Sequence, residues 1–150
     1  MGGSTIYLKA SHTAYQSESN GGSDPAETRY EYTFAEGQLQ PLSKTTILPP
    51  VAPEHNGSGV SQSRTEVYDA YGRATWSRDE RGFITYTPYD PSTGALIQRI
   101  QDVETSMAAG APSGWSTPPG GGLHLVTDYQ FDAQGRNTRK LGPVHTVDLK

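Results

Sequence analysis

A short turn motif recurs in this sequence: Asp, two residues and Gly, placed between runs rich in aromatic and β-branched side chains. An Asp that opens a type I turn accepts a hydrogen bond from the backbone N–H two residues later. A Gly three positions after it enters the left-handed region without steric cost, which gives a hairpin turn followed by a bulge. The motif therefore predicts repeated hairpins. Its residues are Asp69 with Gly72, Asp79 with Gly82, Asp132 with Gly135 and, in a turn one residue longer, Asp90 with Gly94.

The segments between these turns have the pattern of β-strands. In residues 28–34 and 123–131, every second position carries an aromatic residue, a Leu or a Thr, and the positions between them form the opposite face. A period of two residues indicates half-buried strands. Residues 102–110 are compatible with one or two helical turns, and no other segment shows a helical stripe. Shorter strands fit the segments RTEVY, RATWS, FITYT and ALIQRI.

The composition indicates an ordered β protein with a thin core. A chain of 150 residues is long enough for one domain. Leu, Ile, Val and Phe together supply only 24 residues, but the net charge of −4 is too small to indicate disorder. Nine Tyr, two Trp and sixteen Thr supply aromatic and β-branched side chains, which suit the half-buried surface of a sheet.

Charge and hydropathy argue against several classes of partner. A mildly acidic chain lacks the basic patch that nucleic-acid binding needs, and it has no Lys/Arg run for an anionic membrane surface. No apolar stretch is long enough to span a membrane. Residues 1–30 contain no basic region followed by an apolar stretch, so we expect no secretion signal in this segment. Cysteine is absent, which excludes disulfides and thiolate metal sites.

Two Pro/Gly-rich stretches, 47–63 and 108–122, divide the chain and are predicted to be loops without structure of their own. Asn20-Gly21 and Asn56-Gly57 are further candidates for hairpin turns. The predicted organisation is a degenerate N-terminal hairpin unit (1–46), a loop (47–63), a pair of hairpin repeats (64–103), a second loop (104–122) and a final hairpin (123–150).

Two of these segments are similar to each other. EVYDAYGRATWSRD aligns with DYQFDAQGRNTRKL through an aromatic residue, Asp-Ala, one variable residue, Gly-Arg, and Thr two positions after the Arg. One hairpin cannot bury a face alone, so repeated hairpins must stack into a longer sheet. These segments resemble the YD-repeat, or RHS-repeat, family. The matching residues are Tyr68-Asp69, Gly72-Arg73, Asp79 with Gly82, Tyr86 with Tyr89-Asp90, and Phe131-Asp132 with Gly135-Arg136.

The resemblance implies an all-β fold in which antiparallel hairpin repeats form a curved, spiralling sheet. In bacterial members of the family this sheet is a hollow shell around a toxic polypeptide, and in animal relatives it is the scaffold of surface adhesion proteins. Such shells span many hundreds of residues, so we expect this chain to be a piece of a larger secreted or cell-surface protein. The implied partners are the rest of the array and an enclosed polypeptide or a surface glycan. No segment matches the self-cleaving core of bacterial members, so no catalytic residue is carried over.

The sequence offers no constellation for metal binding or catalysis. Each predicted turn contributes a single Asp, whereas a calcium cage needs several oxygens from one loop. The histidines have no metal-ligand spacing, and His124 is expected on the strand face opposite Leu123 and Leu125. No G-x-S-x-G motif is present. We therefore expect no cofactor, no metal and no enzymatic activity. The histidines are His12, His55, His124 and His145.

Two aromatic residues are candidates for ligand contact. Tyr89 lies beside a turn, where packing between hairpins and stacking on a sugar are both open. Trp115 lies in a polar Pro/Gly loop, where it either plugs a core from outside or projects as a contact residue. The leading hypothesis is a non-enzymatic structural module of a β-shell. The alternative is a carbohydrate- or protein-binding adhesion module that uses exposed aromatics and the loops 47–63 and 108–122.

Overall fold

The computed structural model describes residues 5–15 and 25–144. These residues form nine β-strands and two short 3-10 helices, with no α-helix among them. The predicted all-β class is therefore confirmed. No helix in this part of the chain is long and apolar enough to cross a membrane. The strands are β1 (Ser11–Ala14), β2 (Ala26–Phe34), β3 (Pro41–Ile47), β4 (Ser63–Tyr68), β5 (Ala74–Arg78), β6 (Ile84–Tyr86), β7 (Gln98–Gln101), β8 (Leu125–Phe131) and β9 (Asn137–Leu141).

The chain divides into two compact units, Met1–Arg73 and Ala74–Lys150. In the first unit, strands β1 to β4 lie in sequence order, and each is antiparallel to its neighbour. Tyr30 of β2 pairs with Thr46 of β3, so these two side chains lie next to each other on the same face of the sheet. A bulge between Thr33 and Phe34 interrupts the β2–β3 register beside the turn that joins the two strands.

The first unit carries several polar contacts on the faces of its sheet. Thr46 is 3% exposed and is the one buried residue among the described residues of this unit. The Tyr30 ring has the ammonium groups of Lys9 and Lys44 at 5.6 and 5.5 Å from its centroid. Hydroxyl groups also bond across the strands, Thr33 with Ser43 at 2.7 Å and Thr45 with Thr65 at 3.1 Å.

The second unit contains β5 to β9, again in sequence order and antiparallel. Trp76 of β5 stacks on Tyr86 of β6 with ring centroids 4.2 Å apart, because the two residues face each other across the strand pair. The four buried hydrophobic residues of the described chain all lie in this unit. They are Trp76, Ile84, Ile100 and Val103.

Two sequence-based predictions about the connection between β3 and β4 are wrong. Residues 47–63 were expected to lack structure of their own, but they contain the 3-10 helix Pro53–His55. The second 3-10 helix, Thr105–Met107, lies within residues 102–110, where one or two helical turns were expected. Asn56-Gly57 is not a two-residue hairpin turn, because Asn56 (φ 61°) ends the first of these helices and Gly57 N–H bonds back to the carbonyl of Ala52. Asn20-Gly21 lies outside the described residues. The division into five segments stays a prediction.

Candidate functional site

The turn at Asp69 is closed by its own carboxylate. Oδ1 accepts hydrogen bonds from the N–H groups of Tyr71 (2.9 Å) and Arg73 (3.0 Å). The backbone closes the same turn, because Gly72 N–H donates to the Asp69 carbonyl and Asp69 N–H to the Arg73 carbonyl, both at 3.0 Å. Gly72 has φ +79°, a conformation that a side chain disfavours. This geometry combines a type I turn with a left-handed Gly that returns the chain to the next strand.

The same arrangement recurs at two other turns. In each, Oδ1 accepts the N–H groups two and four residues later, at 3.0 and 2.8 Å for Asp79 and at 3.0 and 2.9 Å for Asp132. The glycines that follow, Gly82 and Gly135, have φ +89° and +76°. The structure thus places one unit of local geometry at three positions, one of them in the first compact unit and two in the second.

An arginine completes two of the three turns, and sequence reasoning did not assign it a role. Arg73 donates from Nε to Asp69 Oδ2 at 2.7 Å, and Arg136 donates to Asp132 Oδ2 at 2.7 Å. Charge-assisted bonds of this kind are shorter and stronger than bonds between neutral groups. The available signal was the Gly-Arg pair that both segments share. The turn at Asp79 has Phe83 in the corresponding position and lacks this ion pair.

The fourth turn is longer and uses a denser set of bonds. Oδ1 of Asp90 accepts the N–H and hydroxyl groups of both Ser92 and Thr93, at 2.6 to 3.0 Å. Gly94 N–H donates to the Asp90 carbonyl at 2.9 Å, and Gly94 has φ +73°. Pro91 supplies the backbone angle for the second position of the turn. The extra residue is therefore accommodated by hydroxyl donors.

Hydrogen bonding favours the ionised form of three turn carboxylates, Asp69, Asp90 and Asp132. The Ser92 hydroxyl and the donors of Thr93 lower the pKa of Asp90 to about 2. Desolvation on burial acts to raise the pKa of Asp69, but the side-chain and backbone donors of Arg73 outweigh it and bring that pKa below its usual value. The backbone and side-chain donors of Arg136 likewise lower the pKa of Asp132. Each carboxylate is thus stabilised as an acceptor for its own turn.

The two candidate contact residues are both built into the second unit. The half-buried Trp115 ring carries the Arg78 guanidinium 4.8 Å above its centroid, so it packs on β5 from outside. Tyr89 forms an isolated β-bridge with Leu96, and its hydroxyl lies 3.5 Å from the Ala74 carbonyl. Both rings therefore have intramolecular neighbours.

The ends of the second long connection meet in a group of hydrogen bonds that the sequence did not predict. The Asp102 carboxylate accepts the N–H groups of Gly122 (2.8 Å) and Leu123 (3.0 Å). The backbone carbonyl of Asp102 accepts His124 N–H at 2.8 Å. In turn, His124 Nδ1 accepts the N–H of Glu104 at 3.2 Å. Asp102 and His124 have φ of 53° and 48°, in the left-handed region.

This geometry corrects the prediction for His124. The residue does not alternate with Leu123 and Leu125 along a strand, because β8 begins only at Leu125. Instead its left-handed backbone turns the chain into β8, and Leu123 is 70% exposed. Of the other histidines, His12 and His55 are exposed, and His145 lies outside the described residues.

A cavity of about 740 Å³ lies in the first unit, beside the connection between β3 and β4. Its wall contains both apolar and charged side chains, which is typical of ligand pockets. Among the residues that the structure describes, no group of three or more His, Cys, Asp or Glu side chains could hold a metal ion. The cavity is lined by Pro25, Ala26, Glu27, Arg29, Ile47, Leu48, Pro49, Pro50, Val51, Ala52, Glu54, His55 and Ser61.

Comparisons of the chain with protein-family models, curated proteins and solved structures give no match. The resemblance to YD repeats therefore rests on the residues of the turns and strands.

Proposed function

We propose that this chain is a non-enzymatic structural module of the YD-repeat type, which contributes hairpins to a larger β-sheet. The observation that carries the proposal is the repeated turn. Asp69, Asp79 and Asp132 bond in the same way to the N–H groups two and four residues later. Reuse of one local geometry is typical of proteins built by stacking a supersecondary unit.

The chemistry of the turn carboxylates supports a structural role. Asp69 and Asp132 use one oxygen for backbone N–H groups and the other for an arginine. A carboxylate that binds a metal or acts as a catalytic base needs a lone pair that is directed at the metal ion or at the substrate. Here the bonds are directed into the turn, so the work of these residues is to fix the chain reversal.

In this proposal the module belongs to a larger secreted or cell-surface protein, and it encloses or displays another polypeptide. Its immediate partners are further hairpins of the same array. Strand β1 of the first unit and strand β9 of the second each consist entirely of exposed residues. Edge strands with free backbone groups accept another strand readily, so they are suitable places for an array to continue.

The cavity beside the β3–β4 connection favours a second function, a carbohydrate- or protein-binding adhesion module. Its volume of about 740 Å³ is in the range of small-molecule sites. In this version the loops 47–63 and 108–122 make the contacts, with Trp115 and Tyr89 as stacking residues. The Arg78 guanidinium already lies over one face of the Trp115 ring.

The two functions differ in what surrounds the segment and in what it binds. The structural module requires further Asp-x-x-Gly-Arg hairpins in the coding sequence on either side, and a parent protein without them would contradict it. A glycan array probed with the chain tests the binding module. Tyr71→Ala is the control, because the Tyr71 ring also lies against an arginine, as the Trp115 ring does. Binding that is lost in Trp115→Ala but kept in Tyr71→Ala would favour the adhesion module.

A further inference from the structure

A three-residue motif in the β3–β4 connection is typical of a modification site. Asn56, Gly57 and Ser58 form the sequence Asn-x-Ser, in which the middle residue is not Pro. Oligosaccharyltransferases recognise this sequence when they attach a glycan to an asparagine side chain. The chain has three asparagines, but Asn20 and Asn137 are followed two positions later by Gly and Arg. Only Asn56 therefore has the hydroxyl that the motif requires.

The backbone of this motif is tied down, while its two functional side chains are at the surface. Asn56 ends a 3-10 helix, and its N–H donates to the Pro53 carbonyl at 3.1 Å. Gly57 is half-buried, and its N–H donates to the Ala52 carbonyl at 3.0 Å. Asn56 and Ser58, on either side of Gly57, are both exposed. The turn thus presents the acceptor amide and the required hydroxyl to solvent.

The functional groups of the motif are available for recognition. In the part of the chain that the structure describes, the Asn56 side-chain amide makes no hydrogen bond, and the Ser58 oxygen accepts one, from Val60 N–H at 3.3 Å. Asn is also favoured where a helix ends in the left-handed region, as Asn56 does with φ 61°. That preference accounts for Asn56, but it does not require an exposed hydroxyl at Ser58.

An acidic residue extends the motif in the other direction. Glu54 lies two positions before Asn56, and it is exposed on the same 3-10 helix. Bacterial oligosaccharyltransferases require an acidic residue at this position, whereas those of animal cells do not. The five residues from Glu54 to Ser58 therefore fit both classes of transferase.

A cavity of about 480 Å³ in the first unit is lined in part by this motif. Two of its other lining residues, Val51 and Val60, are 53% and 67% exposed. The cavity volume lies in the range of small-ligand sites, so it is large enough for a sugar ring attached to Asn56. The C–H groups on the face of a sugar remove apolar surface from water when they lie against such side chains. The apolar part of the wall consists of Leu48, Pro49, Val51 and Val60.

We propose that Asn56 is a glycan acceptor and that the first sugar of its glycan covers the apolar wall of this cavity. The inference rests on the secreted or cell-surface location in the proposed function, because oligosaccharyltransferases act on exported chains. The donor is an oligosaccharide that is linked to an isoprenoid lipid through pyrophosphate. Both classes of transferase use a donor of this chemistry.

The transfer replaces one bond at the sugar by another. Nδ2 of Asn56 forms a bond to the anomeric carbon of the first sugar, and the bond from that carbon to the pyrophosphate oxygen breaks. The lipid pyrophosphate leaves with the electron pair of the broken bond, and Nδ2 gives up one proton to a base of the transferase. No oxidant or reductant takes part. The adjacent 3-10 helix has no buried residue, so opening it for the transferase exposes no core side chain.

The test uses the full chain with an added, cleavable export leader, so export is independent of the protein's natural destination. One arm is secretion from animal cells, and the other is export to the periplasm of bacteria that express an oligosaccharyltransferase. We expect intact mass spectrometry to show one added glycan, located on the peptide that contains Asn56. A glycan in one arm alone would support the acceptor and identify the class of transferase. An exported but unmodified chain in both arms would overturn the proposal without affecting the proposed structural module.

Two variants control for the motif. Ser58→Ala removes the hydroxyl and leaves the acceptor amide in place, at a position without a positive φ, so it should abolish the glycan in both arms. Glu54→Gln removes only the acidic group, so it should abolish the glycan in the bacterial arm and leave it in the animal arm. A glycan that persists in Ser58→Ala would show that the chain is modified at another residue.

A second measurement tests the cover on the cavity. In protein with ¹³C-labelled valine methyl groups, we compare the bacterial arm with the same chain made without the transferase. The methyl signals of Val51 and Val60 should shift on glycosylation, and that of Val103, fully buried in the second unit, should stay in place. Unchanged Val51 and Val60 signals in the glycosylated protein would overturn the covering role.

Discussion

The two compact units use the same hairpin turn but are stabilised in different ways. The first unit has no buried hydrophobic residue in its described part, and its sheet carries hydroxyl pairs and a tyrosine between two lysines. The second unit holds all four buried hydrophobic residues and a stacked Trp76–Tyr86 pair. Turn chemistry can therefore be shared between the units while the source of their stability differs.

The difference shows what a repeated hairpin does and does not provide. The turn fixes the chain reversal locally, and cross-strand pairs add modest stabilisation on each face. A core needs a second layer, and the second unit supplies one by placing residues 104–122 against the β5–β6 turn and burying Val103. We expect the second unit to respond strongly to loss of a core side chain and the first unit to respond weakly.

The largest expected effect comes from Ile84→Ala. Ile84 is fully buried, so removing its side chain should lower the free energy of unfolding by about 2–5 kcal/mol through lost burial and a residual cavity. Leu42→Ala in the first unit is the control, since Leu42 is 47% exposed, and its effect should stay within about 1 kcal/mol. Urea unfolding measures both. Equal losses would contradict the contrast between the units.

A turn substitution should affect both units alike. A Cβ on Gly135 meets no atom within 4 Å, so Gly135→Val should lower the free energy of unfolding by about 1–3 kcal/mol through backbone strain at φ +76° alone. Gly72→Val should match it and also displace the Gln40 side chain, which lies beside that position. Gly142→Val, at a glycine with open space and without a positive φ, is the control. Stability equal to the parent for Gly135→Val would contradict the turn geometry.

The smallest effect is expected for the turn carboxylate in the first unit. Asp69→Ala removes acceptors for Tyr71 and Arg73, so it should reduce the free energy of unfolding by about 1 kcal/mol at neutral pH. Chemical denaturation with and without added calcium measures this loss. It should be the same in both, and a loss that depends on calcium would indicate a metal at the turn.

The pH dependence of that effect has a defined sign. Because the folded-state pKa of Asp69 lies below its usual value, its ionisation stabilises the fold above about pH 4. This contribution is lost as the pH falls through the lowered folded-state value. Asp69→Asn should therefore unfold with a weaker dependence on pH in this acidic range. An unchanged slope would show that the carboxylate makes no net contribution.

Several strands and the Asp-x-x-Gly turns could be predicted from the sequence because their causes are local, whereas no strand was assigned to the segments that form β1, β3 and β9. Alternation over 28–34 identifies most of β2, and the spacing of Asp69 and Gly72 corresponds to the turn that the structure shows. Prediction was less accurate at boundaries. The segment 123–131 gave a strand two residues too long, because His124 takes a left-handed conformation that depends on its contact with Asp102.

The conformation of residues 104–122 could not be predicted, since it depends on residues distant in sequence. Nothing in the local sequence of Asp102 indicates that it accepts N–H groups from residues 20 and 21 positions later. The same limit applies to burial. Alternation assigns Tyr30 and Trp76 to a sheet face, but only the tertiary structure shows that Trp76 is buried and Tyr30 is half-exposed between lysines.

The sheet topology has a consequence for folding kinetics. In both units each strand pairs with a strand next to it in the sequence. Contacts of short sequence separation lower the entropy that is lost before pairing, and proteins rich in them fold faster than β-sandwiches of similar size. A tight hairpin closes in about 1–10 μs. The slow steps should therefore be the closures of the β3–β4 and β7–β8 connections. A folding rate that changes with the length of the β7–β8 connection would reveal them.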